Sequence, residues 1–262
     1  MLLADGAMAT ELIPRLGKLG GGPGGELLAR SGAREAPCRL NLLAPDLVVA
    51  LHREYVAAGA RLLVTNTLGA SPEEAAAGVQ IAQEAVAAAG EGILVAGCLA
   101  AQPLATPALI EALAGADVLI LETVTSLTSL EAAVAAIRKV SERPLWGTLS
   151  FDAAGWLDGL KPAEVVRRIE PLGLDAFGYG CGFGPEAARP VLTELRRAAP
   201  NARLIAKPNL GLPRDGAYAV SPQELAAWAA DMAALGVNVI GACCGSTPAH
   251  IRAVAGRLEP QV

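Results

Sequence analysis

Three cysteines carry the chemistry most readily read from this sequence: Cys181 at the end of one apolar run, and the adjacent Cys243 and Cys244 at the end of another. Thiolates are nucleophiles and soft metal ligands. Three of them around Zn²⁺ leave the fourth tetrahedral position open, the pattern of a catalytic rather than a structural site. Such a centre is rich in negative charge and weakly Lewis-acidic, so its use is to capture a further sulfur and keep it ionised. A free thiol of pKa near 8.5 is only a few per cent thiolate at pH 7, so fixing that form is worth roughly 2 kcal/mol. Two other readings stand beside this one. Adjacent cysteines also serve as small core residues, and a vicinal disulfide is a strained alternative. The flanking Gly182 and Gly245, which let backbone approach an ion closely, favour the metal.

Those thiols meet only if the chain brings the ends of distant runs together. The same pattern recurs along the sequence: a short apolar run, a polar or reactive residue, then an amphipathic stretch rich in Ala, Leu and Glu. The runs are LLADG at the start, 60–67, 92–98, 117–123, 145–151, 176–181, 203–209 and 237–245. Continuous apolar character predicts parallel strands covered on both faces. Between them, Pro45 and Gly59 bracket a helix over 44–59, and Ser221, Pro222, Glu224 and Gly236 mark another over 221–236. Eight strand–helix units in about 250 residues predict a (β/α)₈ barrel, here one domain over 1–262. An open doubly wound sheet is the alternative, but no G-x-G-x-x-G follows the first strand.

Barrels of this kind place their sites at the C-terminal strand ends. Asp5, Asn66, Cys98, Glu122, Ser150 with Asp152, Cys181, Asn209 and the Cys243–Cys244 pair stand at those ends. Asn66 and Thr67 are expected to organise the mouth by hydrogen bonding. Apolar residues make up 53% of the chain, enough for a substantial core, and the net charge is −5 with no basic run. That excludes nucleic acid and anionic membranes as expected partners. The N-terminus lacks a basic stretch before an apolar one, and no apolar run approaches the roughly 20 residues of a membrane span. A cytoplasmic protein is expected, and in a reducing compartment its five cysteines read as ligands, catalysts or core residues rather than bridges.

Several segments resemble one family. DGAMATEL (5–12), PDLVVALHREYVAAGARLLVTNTLGAS (45–71), LILET (119–123), PNLGLP (208–213) and GVNVIGACCGSTPAHI (236–251) are similar to signatures of the homocysteine S-methyltransferases. That family includes the homocysteine domain of cobalamin-dependent methionine synthase and enzymes that use betaine or S-methylmethionine. The resemblance spans nearly the whole chain. It implies a (β/α)₈ barrel with zinc on Cys181, Cys243 and Cys244, and homocysteine thiolate methylated to methionine. It further implies that Asp5 and Glu122 bind the substrate ammonium, while backbone N–H groups near Gly6, Ala7 or Thr123 take its carboxylate. Asn209 matches a family asparagine that would fill the open metal position without substrate; otherwise it is a turn former before Gly211. The donor stays open among S-methylmethionine, S-adenosylmethionine, betaine, a methylfolate and a corrinoid protein. A zinc- and homocysteine-binding protein that has lost methyl transfer, or methylation of a related thiol or selenol, are the alternatives.

The chain also departs from that pattern. Gly180 stands where the family has Asn before its first zinc cysteine, which predicts a looser loop. Cys98, Leu99, Ala100 and Ala101 follow Gly97 in place of the usual Gly-Ser-x-Gly-Pro, and the segment on to Ala116 is short. Three Trp, three Tyr and three Phe make a thin supply for an aromatic cage around a cationic donor. His52 and His250 fall on helices and read as packing or supporting residues; Cys38 and Cys98 have no assigned role. The glycine-rich stretch 20–25 lacks the Lys and Ser/Thr of a phosphate loop and reads as a lid.

Overall fold

Leucine and β-branched residues without a polar break form strands that bury both faces. The computed structural model, which describes residues 1–18, 36–102, 106–213, 215 and 217–258, places eight such strands in one parallel sheet. They are β1 Leu2–Leu3, β2 Leu62–Val64, β3 Leu94–Leu99, β4 Val118–Val124, β5 Leu145–Leu149, β6 Ala176–Cys181, β7 Leu204–Pro208 and β8 Val239–Ile240. Hydrogen bonding runs in the order β1-β8-β7-β6-β5-β4-β3-β2. The seam between β1 and β2 closes through a parallel bridge of Ala4 with Leu62. There Arg61 N–H donates to the Leu3 carbonyl at 2.8 Å and Asp5 N–H to that of Leu62 at 3.0 Å. The outcome is the (β/α)₈ barrel expected from the sequence.

The helices of the described residues are α1 Ala9–Lys18, α2 Leu40–Leu43, α3 Pro45–Ala57, α4 Pro72–Ala87, α5 Pro107–Ala112, α6 Leu127–Arg138, α7 Pro162–Ile169, α8 Pro185–Ala198, α9 Pro222–Ala234 and α10 Pro248–Leu258. The two helices predicted most clearly are α3 and α9. Helix α9 opens on the expected capping box: Ser221 Oγ accepts the Glu224 N–H, and Glu224 Oε2 accepts the Ser221 N–H at 2.7 Å. Helix α5 has only six residues, in keeping with the short third unit. The glycine-rich stretch 20–25 lies outside the described residues. None of the described helices is long and apolar enough to cross a membrane.

Apolar burial falls in two main layers. Inside the ring, Leu62, Val64, Val118, Ile120, Ile205 and Val239 form one buried cluster with Trp146 and the small Ala4, Ala96 and Ala176. A second, larger layer joins the outer strand faces to the helices. Strand β8 is much shorter than its predicted run: past Ile240 the chain still donates from Gly241 and Cys243 to β7 and from Ala242 to the Asp5 carbonyl, then turns at 244–245 in the loop that carries the thiols.

Candidate active site

The thiols come from strands that are not neighbours. Strand β7 lies between β6 and β8, so their ends start about two strand spacings, roughly 10 Å, apart. The chain just after β7 draws them together. Asn209 N–H donates to the Cys181 carbonyl at 2.9 Å, Cys243 N–H to that of Pro208 at 2.8 Å, and Leu210 N–H to that of Cys244 at 2.9 Å. Cys181 itself sits in the left-handed region at φ 57, where a side chain is uncommon and strain marks a functional position. The result brings Cys181, Cys243 and Cys244 together, with their sulfurs all within 4.8 Å of one another.

The spacing suits a metal. A tetrahedron with metal–sulfur bonds near 2.3 Å has an edge of about 3.8 Å, and the Cys243 and Cys244 sulfurs stand 3.8 Å apart. That separation is also far too long for a disulfide. Without a cation the thiols hold their protons. Hydrogen bonding with Cys243 and burial push Cys181 up to about 12. Contact with Cys181 and burial push Cys244 up to about 11. Cys243 is lowered by Cys181 but raised further by Cys244 and by burial. A cation among them would reverse this balance, which couples metal uptake to proton release.

The same sulfurs line a cavity of about 330 Å³ whose wall also carries Glu122, Thr123 and Lys207. Lys207, buried at the inward end of β7, donates to Glu122 Oε1 at 2.9 Å and stands 3.5 Å from Asp5 Oδ1. The second oxygen of Glu122 accepts the Cys98 S–H at 3.6 Å. Asp5 is fully buried, off the cavity wall, with Oδ2 accepting the Val64 N–H at 2.8 Å. Burial, only partly offset by Lys207 and that N–H, raises its carboxyl to about 7. Burial alone would lower Lys207, but Glu122 and Asp5 outweigh it and raise the ammonium above its ordinary value. Lys207 was not singled out from the sequence. The available signal was a lysine two positions after Ile205 on an inward strand face, where a lone cation needs acids facing it.

The mouth is tied by polar side chains. Asn66 donates to the Pro37 carbonyl at 2.9 Å and to Asn41 Oδ1 at 3.1 Å, while Asn41 donates back to the Asn66 carbonyl at 2.8 Å. Thr67 Oγ1 donates to the Cys98 carbonyl at 2.7 Å. Ser246 Oγ accepts the Ala7 N–H at 2.9 Å and donates to the Cys243 carbonyl at 2.8 Å, so the first and last strand units are joined beside the thiols. The Tyr55 hydroxyl braces the same corner through the Ala7 carbonyl at 2.7 Å. Asn41, Tyr55 and Ser246 were also missed, since their partners are remote in sequence.

Other expected residues take structural places. Both ends of the Asn209 amide are engaged, donating to the Gly182 carbonyl and accepting the Gly211 N–H at 3.2 Å. Asp152 Oδ1 accepts the Ala154 and Trp156 N–H groups and shapes its own loop. His250 accepts from Thr247 on Nδ1 and meets the Val220 carbonyl with Nε2 at 3.0 Å, pinning that segment to the start of α10. His52 is buried, with burial lowering it to about 4. At Gly180, where a looser loop was expected, the neighbouring Thr148 packs against the backbone. A Cβ there would strike the Thr148 hydroxyl, so the position is closed to side chains by packing. The space over Gly245, at φ 87, is filled by the Tyr218 ring.

The family model described as homocysteine S-methyltransferase matches residues 2–105 and 101–258. Methionine synthase of Mycobacterium leprae is 30% identical over 302 aligned positions, covering 97% of this chain and 24% of that protein. Methionine synthase of Mycobacterium tuberculosis is 38% identical over 152, covering 54% of this chain and 13% of that protein. The chain thus spans a quarter or less of the length of these curated relatives. Among solved structures, the apo form of the Escherichia coli homocysteine methyltransferase MmuM aligns with a TM-score of 0.75 and 26% identity, over 98% of this chain and 95% of that one. Its metallated form shares the fold with a TM-score of 0.76. With the family model matched along nearly all of its length, this chain belongs to the homocysteine S-methyltransferase family.

Proposed function

We propose that this chain methylates homocysteine to methionine, using zinc held by Cys181, Cys243 and Cys244. The observation that carries the reading is the shared cavity: three convergent thiols on the same wall as Glu122, Thr123 and Lys207. Zinc bound there would hold the substrate sulfur as thiolate at neutral pH and offset the charge of three thiolates. The chain's own residues bind and orient. Glu122, half-buried on the wall, takes the substrate ammonium, a charge-assisted hydrogen bond. Asp5 acts from behind, holding Lys207. Gly6 lines the cavity at the corner tied by Ser246 and Tyr55, and Asn66 with Thr67 fixes the rim. Asn209 serves as the turn that joins the cysteine loops.

In the transfer, a sulfur–methyl bond forms as the donor–methyl bond breaks and its electron pair stays with the donor. No general base on the chain is needed once the thiol proton has left, so catalysis is nucleophile availability plus alignment. The donor is one of S-methylmethionine, S-adenosylmethionine, betaine, a methylfolate or a corrinoid protein. The reading places residues 1–262 as one homocysteine-binding domain working in the cytoplasm. Zinc analysis with a methionine assay over that donor panel tests it. About one zinc per chain is expected, lost together with activity in Cys243→Ser; a wild-type protein that takes up no zinc overturns the proposal. The six-residue α5 favours one second reading, a zinc–thiol binding protein. Homocysteine binding without methionine from any donor would select it.

A further inference from the structure

Homocysteine carries two charged groups on one carbon, an ammonium and a carboxylate, and any site that selects it must read both. Of the three backbone N–H groups that the sequence offered to the carboxylate, two are engaged inside the protein. Ala7 N–H donates to Ser246 Oγ at 2.9 Å and Thr123 N–H to Thr148 Oγ1 at 3.2 Å. The cavity wall carries one fixed anion, Glu122, and one fixed cation, Lys207, among the described residues. They stand in contact, 2.9 Å apart. An ammonium has three N–H donors. Lys207 reaches Glu122 and Asp5, makes no third hydrogen bond among the described residues, and lines the cavity.

We infer that Lys207 binds the α-carboxylate of the thiol substrate and, paired with Glu122, makes the site selective for a zwitterionic amino-acid thiol. The inference rests on the proposed function and sharpens it. Glu122 and Lys207 form a fixed dipole beside the sulfur cluster, and a substrate with an ammonium and a carboxylate on one carbon matches both ends. Asp5 makes this arrangement tenable. Lys207 would otherwise be a buried cation shared between one wall carboxylate and the substrate; the second acid behind it holds the ammonium in place when the cavity is empty. A thiol lacking either charge leaves one end of the dipole buried against a neutral group, which is how polar sites reject near-isosteres.

The test compares homocysteine with homocysteine amide, which keeps the thiol and the amine but loses the negative charge. Binding to the zinc-loaded protein is measured by calorimetry, with KM and kcat read alongside. Wild type should bind the amide about 10–100-fold more weakly, the loss of one charged hydrogen bond. In Lys207→Met that gap should close: homocysteine weakens by the same factor, the amide stays as it was, and the change sits in KM rather than kcat. Lys207→Met leaves two buried acids uncompensated, so Asp5→Asn/Lys207→Met is measured beside it, and Lys207→Arg should restore the discrimination. If the variants weaken homocysteine and its amide equally, Lys207 only holds Glu122 and the inference fails while the proposed function stands. If wild type binds homocysteine no better than the amide, the inference fails as well. A wild type that binds neither thiol overturns both.

Discussion

The sulfur cluster and the charged cluster share one cavity but are held in place by opposite means. Cys181, Cys243 and Cys244 are set mainly by main-chain hydrogen bonds to residues 208–210, with the Ser246 hydroxyl fixing the Cys243 carbonyl. Asp5, Glu122 and Lys207 are set by one another, side chain to side chain, with Lys207 and Asp5 shut away from solvent. A ligand on a backbone scaffold can be exchanged without disturbing the fold. A charge in a mutually supporting triad cannot, because removing one member strands the others in a low-dielectric interior. Reactivity and stability are therefore divided between the two halves of the site.

The largest effect should come from breaking the triad. Lys207→Met is expected to cost about 3–5 kcal/mol in urea unfolding, the range for a buried ion pair that loses one partner. Asp5→Asn/Lys207→Met should recover a good part of this. Cys243→Ser, compared in metal-free protein, should change stability by less than about 1 kcal/mol. Equal losses in the two variants would contradict the division just drawn.

That division also explains what could be read in advance. The eight strands were legible because continuous apolar runs have no other home in a chain of this size, and the thiols because strand ends converge in a barrel. Lys207 was not, since a lone lysine inside RLIAKPN reads as a local exception until the acids of two other strands are seen to face it. Asp5 was legible as an acid at the mouth but not as one behind the wall, because strand β1 and its bridge to Leu62 set that depth. The Asn41–Asn66 pair and the Tyr55 brace depend on contacts 25 and 48 residues apart, which no local pattern encodes.

A second effect follows from the Asp5 carboxyl, near 7 in the folded chain against about 3.9 when unfolded. Between those values the native state holds a proton that the unfolded chain has released. Stability due to this group is thus fully present below about pH 4 and is lost as pH rises through 7. Thermal unfolding of wild type and Asp5→Asn across pH 4–8 should show wild type losing ground by up to about 4 kcal/mol, then levelling. Parallel curves for the two proteins would mean that Lys207 keeps Asp5 ionised throughout.

The backbone half can be strained without touching a ligand. Gly180→Ala drives a methyl group into Thr148, whose hydroxyl also accepts the Thr123 N–H. Overpacking of this kind costs about 1–3 kcal/mol. The partner change Thr148→Ser does not relieve it, since the clash is with the retained oxygen and Cβ, whereas Thr148→Ala should relieve part of it. A fully tolerated Gly180→Ala would show that Thr148 gives way and that packing does not close the position.

The smallest effect decides what Asn209 is. Its amide joins the Gly182 carbonyl to the Gly211 N–H, so both ends are committed in the loop that unites the cysteine segments. Filling a metal's open position would require it to give up the Gly211 N–H, leaving that donor unpaired at a cost of about 1 kcal/mol or more. Cobalt substituted for zinc reports the coordination sphere by its visible absorption, independently of turnover. Asn209→Ala should therefore lower the melting temperature by a few degrees while leaving the cobalt spectrum without substrate unchanged. A spectral shift at constant stability would reverse the assignment and make Asn209 a fourth ligand beside the three sulfurs, moving its side chain from holding the loop to the chemistry.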